Sequence, residues 1–118
     1  MKKRVVILGA TGSIGQNGLD IIRSFPQYFE LVGFSYHSNE ALAYSIKNDF
    51  PSACTLCTKD DKNLSGLLPQ NAKIIKDRIA FFTHFFEESN PDIVLNGIAG
   101  ASGLIPSYVA LNLGCNLA

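Results

Sequence analysis

The chain has 118 residues, a formal net charge of zero, and is 17% charged and 47% hydrophobic. Such a balance excludes the electrostatic footprint of a nucleic-acid or anionic-membrane binder, and no apolar run approaches the ~20 residues that a membrane-spanning helix needs. The run behind Met1-Lys2-Lys3-Arg4, from Val5 to Leu8, is too short for a secretory leader and breaks at Gly9, so the reading is a cytoplasmic protein that starts on a strand.

In chain order, short apolar strands alternate with longer helical stretches. Arg4 to Leu8 is a continuous apolar run of the fully buried kind. Gly9 to Gly15 is a glycine-rich turn, and Ile14 to Phe25 reads as a helix that Pro26 ends. Phe29 to Ser35 is a second strand. Asn39 caps a second helix carrying Ala41, Leu42, Ala43 and Ile46, and Pro51 marks its end. Ala53 to Thr58 is a third strand, Asp60 to Leu68 a short helix and Lys73 to Lys76 a brief strand. Phe81, Phe82, Phe85 and Phe86 then fall at helical spacing within Ile79 to Phe86, an aromatic stripe that reads as core. Asp92 to Ile98 is a strongly apolar strand, Gly100 to Gly103 a second glycine-bearing turn, and Ser107 to Leu113 a helix stopped by Gly114. Cys115 to Ala118 reads as the start of a further strand. Strand–helix alternation implies parallel strands joined by right-handed crossovers. The expected fold is therefore α/β, a Rossmann-like doubly wound parallel sheet with helices on both faces. Residues 1–118 read as one domain, the N-terminal part of a longer enzyme.

Cys54 and Cys57 have C-x-x-C spacing on the predicted third strand. No second pair completes a zinc site, and the segment opens no helix as a thioredoxin-type motif would, so they read as strand residues. The stronger motif is Gly9-Ala10-Thr11-Gly12-Ser13-Ile14-Gly15, between a strand and a helix. Gly9 allows a tight exit, Gly12 lets the backbone approach a pyrophosphate, and Gly15 lets the helix pack on the strand. The amides of Gly12, Ser13 and Ile14 are candidate phosphate donors at a positive helix end, with the Thr11 and Ser13 hydroxyls beside them. A Walker-type loop is excluded, because no Gly-Lys-Ser/Thr follows.

In the NAD pattern an acidic residue ~20 positions on takes the adenosine ribose. Here Ser35-Tyr36-His37-Ser38-Asn39 stands at that place without a carboxylate. Ser35, His37, Ser38 and Asn39 can all hydrogen-bond a 2′-phosphate, and His37 adds charge when protonated. NADPH is the expected cofactor.

Val6-Ile7-Leu8-Gly9-Ala10-Thr11-Gly12-Ser13-Ile14-Gly15 resembles the I-L-G-S-T-G-S-I-G motif of the 1-deoxy-D-xylulose-5-phosphate reductoisomerase family, with Ala10 in place of serine. Leu19 to Arg23, with Pro26 and Phe29, is similar to that family's first helix and its exit, and Ile93 to Pro106 resembles its V-V-N-A-I-V-G-A-A-G-L-L-P-T. The resemblance implies an enzyme of the non-mevalonate isoprenoid route that rearranges a sugar phosphate and reduces it with NADPH, assisted by a divalent metal, and that forms a homodimer. It implies that Thr11, Gly12, Ser13 and Ile14 hold the pyrophosphate and that Gly97, Ile98 and Ala99 line the nicotinamide ribose side. His37-Ser38-Asn39 falls where the family has Gly-Lys-Asn, so the family's lysine is missing. The resemblance places the metal ligands and the L-A-N-K-E segment, which contacts cofactor and sugar phosphate, beyond Ala118, leaving no catalytic or metal residue in this chain, which alone should be inactive.

Two other readings share the first turn. Thr11 to Gly18 also satisfies the T-G-x-x-G-x-x-G of NADP-dependent extended short-chain epimerases and reductases, whose Tyr-x-x-x-Lys is absent: Tyr44 is followed by Asn48 and Tyr108 by Asn112 at that spacing. A non-catalytic nucleotide-sensing domain is the third reading.

Overall fold

The first strand, β1 (Lys3–Leu8), is buried on both faces. Val5 and Ile7 enter one core and Val6 and Leu8 the other. A strand of this kind must lie centrally in a parallel sheet covered by helices. The computed structural model, which describes residues 1–60 and 72–118, has that arrangement. β2 (Phe29–Tyr36), β3 (Cys54–Cys57), β4 (Ile93–Asn96) and β5 (Asn116–Leu117) join β1 in one sheet of order β3-β2-β1-β4-β5, all pairs parallel. β1 thus sits between β2 and β4, and the order of winding reverses there.

Among the described residues four α-helices cover the sheet. α1 (Ser13–Ser24) and α2 (Glu40–Asp49) pack on the Val5/Ile7 face through Leu19, Ile22, Ala43 and Ile46. α3 (Ala72–Ser89) and α4 (Leu104–Asn112) pack on the Val6/Leu8 face through Phe82, Phe85, Phe86, Val109 and Ala110. The aromatic stripe is therefore core. Phe81 meets Phe82 edge-on at 5.3 Å and Phe82 stacks with Phe86 at 6.3 Å, separations at which ring pairs attract.

The boundaries differ from the sequence reading in several places, β4 among them, which runs Ile93–Asn96 rather than from Asp92 to Ile98. Lys73 to Lys76, predicted as a strand, lies in the first turns of α3. Ile75, Ile79, Phe82 and Phe86 continue one apolar stripe, and no glycine or proline interrupts Ala72–Ser89, so helical periodicity wins over a short apolar pair. α4 begins at Leu104 rather than Ser107. Pro106 is tolerated there because first-turn amides have no intrahelical partner to lose. Thr58, predicted within the third strand, opens a 3-10 turn, Thr58–Asp60. The short helix predicted over Asp60 to Leu68 lies, beyond Asp60, outside the described residues.

The amino ends of the strands are closed by Arg4. Its guanidinium donates to the carbonyls of Ser89 (2.8 Å) and Asn90 (2.9 Å) at the end of α3, and its amide donates to Asp92 Oδ2 at 2.8 Å. Asp92 is thereby a strand-tying residue. Among the described residues no helix is long and apolar enough to cross a membrane.

Candidate cofactor site

At the carboxyl ends of β1, β2 and β4 lies a cavity of about 340 Å³. Where the strand order reverses, the loops after adjacent strands leave in opposite directions and open a crevice. Its walls come from the turn after β1 (Gly9, Thr11, Gly12), the exit of β2 (Ser35, Tyr36, His37), Thr58 after β3, and the turn after β4 (Gly97, Ile98, Ala99, Ser102).

In the first turn, Gly9 has φ +66°, the left-handed region that favours glycine. A Cβ on Gly15 would lie 2.4 Å from the Gly9 carbonyl oxygen and 2.5 Å from Ala10 Cα, so α1 is pressed directly on the turn. Gly12 is different. Its φ of -85° and ψ of 177° suit any residue, and the nearest atom to an added Cβ is the Gly9 carbonyl oxygen at an ordinary 3.5 Å. Among the described residues nothing requires glycine at this position.

Gly12 is the N-cap of α1, and no side chain caps that helix end. No acidic residue occupies the first turn, so the partial positive charge of the helix is not offset locally. Of the three amides proposed from sequence as phosphate donors, that of Gly12 turns back to the Gly9 carbonyl at 3.1 Å. Those of Ser13 and Ile14 belong to the helix's first turn, whose amides have no intrahelical acceptor. Gln16 Nε2 donates to the Ala10 carbonyl at 2.9 Å and braces the loop.

Ser35, a candidate for a 2′-phosphate, lines the cavity and also serves the turn itself. It is 1% exposed, and its hydroxyl accepts the Gly9 amide at 2.8 Å while its carbonyl accepts the Ala10 amide at 2.9 Å. Ser35 therefore holds the glycine turn onto β2. Asn39 caps α2, its side-chain oxygen accepting the Leu42 amide at 3.1 Å. Ser38 and Asn39 are exposed and do not line the cavity, whereas His37 does. His37 Nδ1 lies 3.2 Å from Thr58 Oγ1, which donates to the Tyr36 carbonyl at 3.2 Å, and the Cys57 thiol donates to the His37 carbonyl at 3.6 Å.

The turn after β4 is organised by Asn96. Its Nδ2 donates to the Gly103 carbonyl (2.9 Å) and the Ser107 hydroxyl (2.7 Å), and its Oδ1 accepts the Ile98 amide at 3.0 Å. Gly97 N donates to the Leu8 carbonyl at 2.9 Å, and a Cβ on Gly97 would lie 2.9 Å from that same oxygen. The two turns thus meet backbone to backbone.

Of the residues singled out in the sequence, Gly9, Thr11, Gly12, Ser35, His37, Gly97, Ile98 and Ala99 line one cavity. Ser13, Ile14, Gly15, Ser38 and Asn39 do not. Ser13 and Ile14 stand at the exposed start of α1, and Gly15 is buried beneath the turn. Tyr36, Thr58 and Ser102 line the cavity and were not anticipated. Thr58 has no local signal, because only the register of β3 on β2 brings it beside His37.

Among the described residues no group of three His, Cys, Asp or Glu side chains is placed to hold a metal. All three cysteines are free. Burial, reinforced by the neighbouring Glu88 carboxylate, pushes the Cys54 thiol above its ordinary range, the opposite of what a reactive thiolate needs.

A parallel five-stranded sheet, a glycine-rich β1–α1 turn and a crevice at the reversal of strand order define a Rossmann-like domain of the dinucleotide-binding type. The profile of the 1-deoxy-D-xylulose 5-phosphate reductoisomerase family matches residues 5–118, and the chain belongs to that family. It is 43% identical over 118 residues to the 1-deoxy-D-xylulose 5-phosphate reductoisomerase of Treponema denticola, covering 99% of this chain and 29% of the relative. The chain thus spans less than a third of that relative's length. Among solved structures, DOX-P reductoisomerase in complex with NADPH, fosmidomycin and magnesium superposes with a TM-score of 0.74 at 21% identity, over 98% of this chain and 29% of that one. The Zymomonas mobilis reductoisomerase in complex with NADPH gives 0.64 at 19% identity, over 100% of this chain and 31% of that one. At these identities the structural likeness speaks for the fold. Family membership sets aside the short-chain epimerase reading.

Proposed function

We propose that residues 1–118 form the NADPH-binding domain of a longer reductoisomerase, which converts 1-deoxy-D-xylulose 5-phosphate to 2-C-methyl-D-erythritol 4-phosphate. The observation that carries this reading is Gly12. It borders the cavity, it has room for a side chain, and its backbone conformation is open to any residue. A missing side chain that the protein does not itself need is explained by a ligand backbone that must come close. The cavity, the uncapped helix end and the absence of first-turn acids fit a dinucleotide pyrophosphate.

Thr11 and the first-turn amides of Ser13 and Ile14 would hold the pyrophosphate. Gly97, Ile98 and Ala99 would flank the ribose on the nicotinamide side. His37, with Ser38 and Asn39 at the edge of the crevice, would meet the 2′-phosphate, where no carboxylate repels it. Gly9 and Gly15 shape the turn from within. When bound, the cofactor supplies the hydride. The chain's own residues supply its placement, and placement is a large part of catalysis for such a transfer. The sugar phosphate and a divalent cation such as magnesium would be held by parts of the longer enzyme, which we take to be a cytoplasmic homodimer.

Calorimetric titration with NADPH and NADH tests the reading. NADPH should bind more tightly, and Ser38→Lys should tighten NADPH selectively. A charge-assisted hydrogen bond of this kind contributes about 1.5–3 kcal/mol. Equal affinities for the two nucleotides would contradict the assignment of the β2 exit. With NADPH, magnesium and 1-deoxy-D-xylulose 5-phosphate, this chain alone should give no sustained loss of nicotinamide absorbance. Turnover would place the active site within these residues and overturn the account.

A further inference from the structure

The reading that the cavity takes NADPH leaves open how His37 serves a phosphate, and the hydrogen bonds around Thr58 bear on that. The Thr58 side chain is nearly buried, at 7% exposed, and Oγ1 stands between two groups at 3.2 Å each: the Tyr36 carbonyl oxygen and His37 Nδ1. A carbonyl oxygen only accepts, so the single hydroxyl hydrogen goes to Tyr36. Towards the imidazole the hydroxyl is left as an acceptor, and Nδ1 must carry a hydrogen. The partner of one ring nitrogen fixes the state of the other. In the neutral ring, Nε2 is then a bare lone pair, which repels a phosphate oxygen. Only the protonated ring offers an N–H at Nε2 together with a positive charge.

We propose that Thr58 is a positioning residue that removes the neutral donor form of His37. Recognition of the 2′-phosphorylated cofactor is then linked to uptake of a proton, and recognition of the unphosphorylated one is not. The Cys57 thiol supports the same placement by donating to the His37 carbonyl. Register makes the arrangement possible, since Tyr36 pairs with Cys57 across β2 and β3 and the next residue on each strand falls side by side. The titratable or charged residues on the surrounding elements are Tyr36 at the end of β2, Glu40 at the start of α2 with Tyr44, Lys47 and Asp49 further along it, Cys57 at the end of β3, and Lys59 and Asp60 in the turn that follows.

The test is calorimetry of NADPH and NADH binding between pH 7 and 9, in two buffers of different ionisation heat. A phosphate monoester, with a second pKa of ~6, is already a dianion throughout that window. For one linked proton, NADPH affinity should weaken towards about tenfold per pH unit at the alkaline end, with proton uptake approaching ~1 per nucleotide. NADH affinity should stay flat. Thr58→Val should flatten the NADPH profile, because the neutral ring regains its other tautomer, and Thr58→Ser should restore the slope. Nitrogen chemical shifts of the His37 ring should report Nδ1–H in the free protein at pH 9. NADPH binding without proton uptake, or a neutral ring carrying its hydrogen on Nε2, would overturn the inference and leave the cofactor reading standing. Failure of both nucleotides to bind would overturn the two together.

Discussion

Two glycine-bearing turns face each other across the crevice, and they use glycine for different reasons. After β4, the close approaches are internal. A Cβ on Gly97 would lie 2.9 Å from the Leu8 carbonyl oxygen, and one on Gly103 2.7 Å from that of Ile98. After β1 the roles are split. Gly15 is required by the Gly9 carbonyl at 2.4 Å, whereas Gly12 meets nothing closer than 3.5 Å. In the second turn Gly97 and Gly103 are answered by close backbone and Gly100 by its φ of +73°, whereas among the described residues Gly12 has neither reason. Sequence motifs give the three glycines of the first turn equal weight. The structure separates those that build the site from the one that leaves it room.

Substitutions should reproduce this division. The largest loss is expected for Gly15→Ala, where the added carbon meets backbone that has no slack, and unfolding free energy should fall by about 3 kcal/mol or more. Urea denaturation measures it, and a change below about 1 kcal/mol would break the claim that Gly15 is structural. Asn96→Ala should cost about 2–3 kcal/mol, because it leaves the Ile98 amide and the Gly103 carbonyl without their partner. Ser35→Ala comes next, at about 1–2 kcal/mol, from the orphaned Gly9 amide. Slower amide exchange at Gly9 in that variant would show that Ser35 does not hold the turn.

The sheet was legible because β1, β2 and β4 are apolar runs bounded by glycine, proline or polar turns, and burial on both faces leaves such runs no other place. The end of the third strand and the Lys73 to Lys76 segment were less legible. Short apolar runs fit a strand or a helix until the flanking stripe from Ile79 to Phe86 is extended backwards. At the site, Gly9, Gly12, Gly97 and their neighbours could be read because backbone approach leaves its mark as glycine. The bond from the Gly9 amide to Ser35 was not legible, since a serine at the end of a strand suits a ligand or a neighbouring amide equally well. Thr58 was invisible, because its contact with His37 spans 21 residues and exists only through strand register. Asn39 caps α2, as the sequence predicts, and it and Ser38 stand outside the cavity lining.

The most direct measurement is Gly12→Ser, followed by both thermal unfolding without ligand and NADPH titration. Serine is a favoured N-cap, and the backbone there already has the extended conformation that a cap adopts. The ligand-free protein should therefore be unchanged or more stable by roughly a few tenths of a kcal/mol. The same side chain would occupy the space left for the pyrophosphate and compete for the first-turn amides, so NADPH affinity should fall by at least about tenfold. Stability kept and affinity lost is the predicted result. NADPH binding as tight as in the unsubstituted protein would contradict the claim that Gly12 is bare for the cofactor's sake.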